Sequence, residues 1–117
     1  VTTTDTPVRD SLYAIGSATD GCWDNAVTNS NLRRQFLRRI NSVQFEGNLN
    51  LKAGEMLKFI TSVSRWQPQF GIGSSAGNLG FNYGSTGDPG VIIIPSQSGM
   101  YKVEVNFLDM TYKLTKL

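Results

Sequence analysis

The sequence predicts an all-β fold, an antiparallel β-sandwich of immunoglobulin-like type with about seven short strands and long loops. Segments in which apolar and polar residues alternate recur along the 117-residue chain, and turn residues separate them. Glycine, serine, threonine and asparagine are plentiful, whereas charged residues make up only 17% of the sequence. The length suits one domain with one core. We therefore predict a Thr-rich linker over residues 1–10 and a single β-sandwich domain over residues 11–117.

The first strands are predicted from alternation over residues 11–17 (SLYAIGS) and 43–51 (VQFEGNLNL). In the second of these segments, Gly47 lies on the same side as the apolar residues. A glycine there indicates a bulge or a close approach of another backbone. After a turn, the segment MLKFITS places Leu57 and Phe59 inward and Lys58 outward.

The C-terminal residues predict a β-hairpin, because MYKVEVNF and TYKLTKL both alternate and a short LDM link joins them. The apolar run VIIIP, residues 91–95, predicts a strand that its proline ends. The weakly patterned stretches 18–34 and 71–90 are predicted to be long surface loops, which often carry binding residues.

The segment NLRRQFLRRIN, residues 31–41, contains four arginines and has two interpretations. As a helix capped by Asn31, it would place Leu32, Phe36 and Ile40 on one face and could bind nucleic acid or anionic lipid. As a strand edge, it would point its arginines into solvent. The net charge is only +2, and no other segment supports a nucleic-acid partner.

The composition excludes several kinds of site. The chain contains no histidine and a single cysteine, so the usual metal ligands, Ser-His and Cys-His pairs and an intrachain disulfide are missing. Glycoside hydrolysis requires two facing carboxylates, and Asp20 and Asp24 are the only close loop pair in the sequence. Their spacing does not match a regular calcium loop. We predict a protein that is not an enzyme and that needs neither metal nor cofactor.

The ends and apolar runs bear on localisation. The longest apolar run, residues 91–94, is too short to span a bilayer. The chain begins VTTTDTP, with no initiator methionine and no signal peptide, which predicts a segment of a longer protein.

Both tryptophans lie in polar loops, Trp23 in DGCWDN and Trp66 in SRWQPQ. A buried tryptophan is more often found within an alternating apolar run. These two rings therefore either cap the end of the core or face a ligand.

The order of three motifs, LYAIGSATDGCWDNA, LKAGEMLKFI and SRWQPQFG, resembles that of starch-binding carbohydrate modules. It is more similar still to the SusE/SusF family, the surface glycan-binding lipoproteins of starch-utilisation systems in Bacteroidetes. The ending SGMYKVEVNFLDMTYKL is similar to the terminal hairpin of that family. The resemblance covers roughly residues 11–117.

The resemblance implies a non-catalytic domain that binds α-glucan, such as starch or maltooligosaccharides, at the cell surface. The full-length protein would then lie at the outer membrane, held by a lipid anchor upstream of this segment and accompanied by other glycan-uptake proteins. The alternative within the same family is a structural spacer domain that binds no ligand.

The resemblance also implies which residues form the site. In such modules two aromatic rings cover the C–H faces of sugars, and a basic or amide side chain meets the hydroxyl groups. Position by position, Trp23 and Trp66 correspond to the platform and Lys58 to the polar contact. Starch modules often have an asparagine where this chain has Gln69, which is a departure from the pattern. The secondary candidates are Arg65, Gln69 and Tyr83.

Overall fold

The structure of the chain is a computed structural model that describes residues 11–26, 28–61, 69–82, 90–95 and 97–117. Within these residues the chain forms nine strands, all paired antiparallel, and one short helix. The predicted all-β, antiparallel fold is confirmed, with nine strands in place of about seven. The elements are β1 (Ser11–Ile15), α1 (Ser30–Arg34), β2 (Phe36–Arg39), β3 (Gln44–Leu51), β4 (Met56–Ile60), β5 (Gln69–Ile72), β6 (Leu79–Asn82), β7 (Ile92–Ile93), β8 (Gly99–Asn106) and β9 (Thr111–Lys116).

The sheet curls until its two ends nearly meet. Its strands follow the order β6-β5-β4-β1-β2-β3-β8-β9, and β7 pairs with β4 beside β5. At the seam between β6 and β9, the Leu79 N–H donates to the Met110 carbonyl at 2.8 Å, and the Tyr112 N–H donates to the Gly77 carbonyl at 2.9 Å. The segment β4-β1-β2-β3 has the spatial order of a Greek key. The result is a nearly closed barrel, and these pairings do not divide the strands into the two sheets of the predicted sandwich.

The predicted C-terminal hairpin is confirmed and forms one wall of the barrel. Tyr101, Val103 and Val105 of β8 are buried, as their alternation predicts. The Phe107 ring, in the turn after β8, packs edge-on against Phe45 and Phe70, with centroid separations of 5.6 and 4.9 Å. The turn therefore closes one part of the core with an aromatic cluster.

The arginine-rich segment 31–41 adopts both predicted structures in succession. The short helix α1 ends at Arg34, and β2 begins two residues later. The cap is Asn29 and not Asn31, since the Asn29 Oδ1 accepts from the Leu32 N–H at 3.4 Å. Because the segment changes from helix to strand at Gln35, it does not form one continuous basic helix.

Part of the stretch predicted as one long loop, residues 71–90, is strand. β5 and β6 form a hairpin in which Gly71 pairs with Gly80. Two strand residues without side chains leave little alternation for a sequence pattern to show. The loop prediction was therefore wrong over 71–72 and 79–82.

Gly47 marks a close approach, as predicted. The register between β3 and β8 is unbroken around it, and Gly47 lies opposite Val103. A Cβ at Gly47 would lie 2.9 Å from the Phe36 carbonyl oxygen of β2. The backbone of the neighbouring strand occupies the space that a side chain would need.

We expect Gly16→Ala to destabilise the domain much more than Gly54→Ala. Gly16 has φ +138°, and its Cβ would collide with the Met56 carbonyl, whereas Gly54 has φ +75° and open space around it. The backbone conformation alone should cost about 1 kcal/mol at Gly54, and strain with overpacking about 3 kcal/mol at Gly16. Urea denaturation of both variants measures the difference, and equal losses would contradict the proposed collision.

Candidate functional site

The loop between β1 and β2 covers the outer side of the sheet at β1 and β4. Ile15 and Ile60 point away from the main core and are fully buried in a second cluster with Leu32 of α1. Trp23 and Tyr13 pack against this cluster. We call the surface formed by Tyr13, Ile15, Lys58, Ile60 and Gln69 the covered face.

Buried hydrogen bonds hold this loop in place. The Gln35 side chain accepts from the Gly21 N–H at 2.7 Å and donates to the Ala14 carbonyl at 3.0 Å, which ties the loop to β1. The Asn29 amide donates to the carbonyls of Gly21 and Asp24 at 3.1 and 2.8 Å. The loop is therefore fixed on both sides of Trp23.

Trp23 is half-buried. One part of the indole contacts the Ile15, Leu32 and Ile60 cluster, and the remainder is exposed. This position combines the two readings of the sequence, because the ring caps a small apolar cluster and still offers surface. A ring held in this way loses little conformational freedom when a ligand covers it.

Lys58 and Gln69 form a buried polar pair on the covered face. The Lys58 Nζ donates to the Gln69 Oε1 at 2.8 Å, and the two residues are 9% and 4% exposed. Lys58 does point away from the core, but the expectation of a solvent-facing lysine was wrong. Alternation along β4 cannot reveal that a distant loop covers its outer side, where Ile60 is also buried.

Three of the sequence-predicted site residues thus share one face, namely Trp23, Lys58 and Gln69. Arg65, Trp66 and Tyr83 lie outside the described residues. The first two of these belong to the connection between β4 and β5. The spatial relation of Trp66 to Trp23 therefore remains a prediction.

Asp20, Cys22 and Asp24 lie close together in the sequence of the β1–β2 loop. The Asp24 carboxylate accepts from the Ala26 N–H at 3.0 Å, which is a turn contact, and Asp20 is exposed. Cys22 is a free, exposed thiol. Over the described residues, no three His, Cys, Asp or Glu side chains group in a way that could hold a metal ion.

The sequence reasoning missed a pair of carboxylates. Glu46 of β3 and Glu104 of β8 lie directly opposite each other on the exposed side of the sheet. They are 58 positions apart (104 − 46), and only the β3–β8 register brings them together. The alternation of both segments was a usable signal, but it does not specify which residues pair.

Comparison of this chain with family models, with curated proteins and with solved structures finds no match. None of the helices in the described parts of the chain is long and apolar enough to cross a membrane. The class of function must therefore be argued from the residues of the covered face and from the sequence motifs.

We expect Gln69→Leu to destabilise the domain by about 2–3 kcal/mol, because it removes the acceptor of a buried ammonium group. Lys58→Met should cost less, since methionine fills the space of the lysine stem without a charge. The double variant should be more stable than the sum of the two losses predicts. Thermal and urea unfolding measure this coupling, with Lys52→Met as an exposed-lysine control. Strict additivity would mean that the pair contributes no coupling.

Proposed function

We propose that this domain is a non-catalytic glycan-binding module for α-glucan, such as starch and maltooligosaccharides. The observation that supports this best is that Trp23 packs on Ile15 and Ile60, on the same side of the sheet as Lys58 and Gln69. The β4–β5 connection, which carries Arg65 and Trp66, begins and ends at the strands of that face. The motif resemblance supplies the class of ligand.

Binding would depend on the exposed part of Trp23 and on Trp66. A pyranose ring has a face of C–H groups that an indole can cover, and a rim of hydroxyl groups that needs hydrogen bonds. The Lys58–Gln69 pair would act beneath the platform, holding the covered face in position. Arg65, beside Trp66 in the sequence, is then the side chain proposed to meet the hydroxyl groups, and Tyr83 is proposed to supply a third aromatic ring.

The family resemblance extends the proposal beyond the site. It implies that the curled sheet belongs to the immunoglobulin-like sandwich class, with two opposed walls of the barrel taking the place of the two sheets. It also implies an outer-membrane surface lipoprotein that acts beside other glycan-uptake proteins. Repeated weak modules on one polymer would raise the overall affinity.

A structural spacer is the second candidate. The burial of Lys58 and Gln69 and their bond to each other favour it, because both side chains already have a role in folding. The packing of Trp23 against Ile15 and Leu32 also favours the spacer, because it gives this ring a role in folding. The two candidates differ in whether an indole binds sugar.

We expect Trp66→Ala to abolish most binding to amylose while changing the melting temperature little. Covering about 100 Å² of each ring should contribute on the order of 2.5 kcal/mol, or about 5 kcal/mol for the pair. With some gain from hydroxyl contacts and a loss of association entropy, this predicts a dissociation constant from roughly tens of micromolar to millimolar for the domain. Trp23→Ala should weaken binding and also lower stability, because its ring packs on the Ile15 cluster. Affinity electrophoresis and thermal unfolding measure both quantities.

A parent domain that binds no glycan, together with early unfolding of both variants, would favour the spacer. Leu108→Ala is a suitable control, since Leu108 is a large, 75% exposed apolar residue in the β8–β9 turn. It should change neither measurement.

We also expect no hydrolysis of any glycan that the domain binds. The proposed platform contains aromatic, amide and basic side chains but not the two carboxyl groups of a glycosidase. A time course of reducing-sugar release from starch, against a buffer control, measures this directly. Steady release by the purified domain would refute the non-catalytic proposal.

A further inference from the structure

A row of charges crosses the outer side of the sheet from β2 to β9, next to the covered face on β1, β4 and β5. Cross-strand pairing places Arg38 opposite Glu46, Glu46 opposite Glu104, and Glu104 opposite Lys113. These four residues, here called the charged row, lie on β2, β3, β8 and β9. With strands about 4.8 Å apart, the row is roughly 14 Å long.

Folding alone gives little reason for the two central carboxylates. Like charges directly opposite each other destabilise a sheet. Lys102 offsets part of this, with its Nζ 3.9 Å from Glu46 and 3.3 Å from Glu104. The three side chains are 36–42% exposed, and ion pairs at such exposure contribute little to stability. Local rules of stability are most often broken where a residue has a function.

A shallow groove follows the charged row. One cavity of about 280 Å³ lies between Gln44, Glu46, Glu104, Asn106, Thr111 and Lys113. A second, of about 360 Å³, lies between Arg38, Arg39, Glu46 and Asn48. The two share Ile40 and Glu46, so they adjoin each other on the surface of the sheet.

The lining of the groove selects a class of ligand. Carboxylates accept hydrogen bonds, lysine and arginine donate them, and the amides of Gln44 and Asn106 do both. A hydroxyl-rich ligand needs all three kinds of partner. A polyanion would meet the two carboxylates at the centre, and a polycation would meet Arg38 and Lys113 at the ends. Ile40, which is 53% exposed, offers an apolar contact for C–H groups.

We propose that the groove along the charged row is a second binding site, for a neutral oligosaccharide lying across the strands, with Glu46 and Glu104 accepting its hydroxyl groups. The proposal takes only its ligand class from the proposed function and uses none of the platform residues. Two sites over different strands of the barrel would let one domain hold two chains, or two parts of one chain, of the same polymer.

The test is a titration of the isotope-labelled domain with maltoheptaose and, separately, with cellohexaose, followed by amide chemical shifts. Residues of the groove, including Glu104 and Asn106, should shift and saturate with one of these sugars. Glu46→Gln and Glu104→Gln should each raise the dissociation constant of the groove roughly tenfold, because a neutral amide oxygen accepts a hydrogen bond more weakly than a carboxylate does. Their melting temperatures should change little, since the substitution also removes a like-charge contact. Glu55→Gln, at an exposed glutamate outside the groove, is the matched control.

The titration curves of individual residues distinguish the second-site proposal from the proposal that Trp23 and Trp66 form a sugar platform. Sugar-induced chemical-shift changes of the groove residues that persist in Trp23→Ala and Trp66→Ala support the second site, even if the tryptophan platform binds no sugar. The second-site proposal is wrong if the chemical shifts of the groove residues do not change, or if the three glutamine variants bind with equal affinity. Neither result would count against binding at the platform. No shift with either sugar would overturn both proposals. If groove binding falls steeply in high salt, the proposal that the ligand is neutral is wrong. If the domain releases reducing sugar, the proposal that it binds glycan without hydrolysing it is wrong.

Discussion

The burial of β4 on both faces is the constraint on which the rest of the structure depends. Its inner residues Leu57 and Phe59 belong to the main core, and its outer residues Lys58 and Ile60 are buried as well, Ile60 against Leu32 of α1. A strand with both sides buried cannot leave a charged side chain unpartnered. Lys58 and Gln69 therefore bond to each other, and the β1–β2 loop has to be held in one conformation over Ile60.

That loop connects folding to the proposed function. The hydrogen bonds of Gln35 and Asn29 fix the chain on each side of Trp23, and the apolar cluster fixes its ring. The same contacts that complete the fold would thus preorganise an aromatic surface. A spacer domain would need the contacts but not the exposed part of the ring, which is why the tryptophan decides between the two candidates.

Two regions of the outer side of the sheet meet different physical requirements. The covered face buries polar groups and satisfies them internally, whereas the charged row on β2, β3, β8 and β9 stays in contact with solvent. Like charges are tolerable there because water screens them. A ligand that displaced this water would have to replace its hydrogen bonds, which is what the hydroxyl groups of a sugar can do.

The sequence by itself determined the class of fold, the C-terminal hairpin and the close approach at Gly47, because local alternation and the lack of a side chain leave direct traces in it. It also selected Trp23, Lys58 and Gln69. Only the tertiary structure decided that Lys58 is buried, that β5 and β6 are strands despite their glycines, and that Glu46 faces Glu104. Each of these depends on which distant segment lies alongside, and a pattern within one segment carries no information about its neighbours.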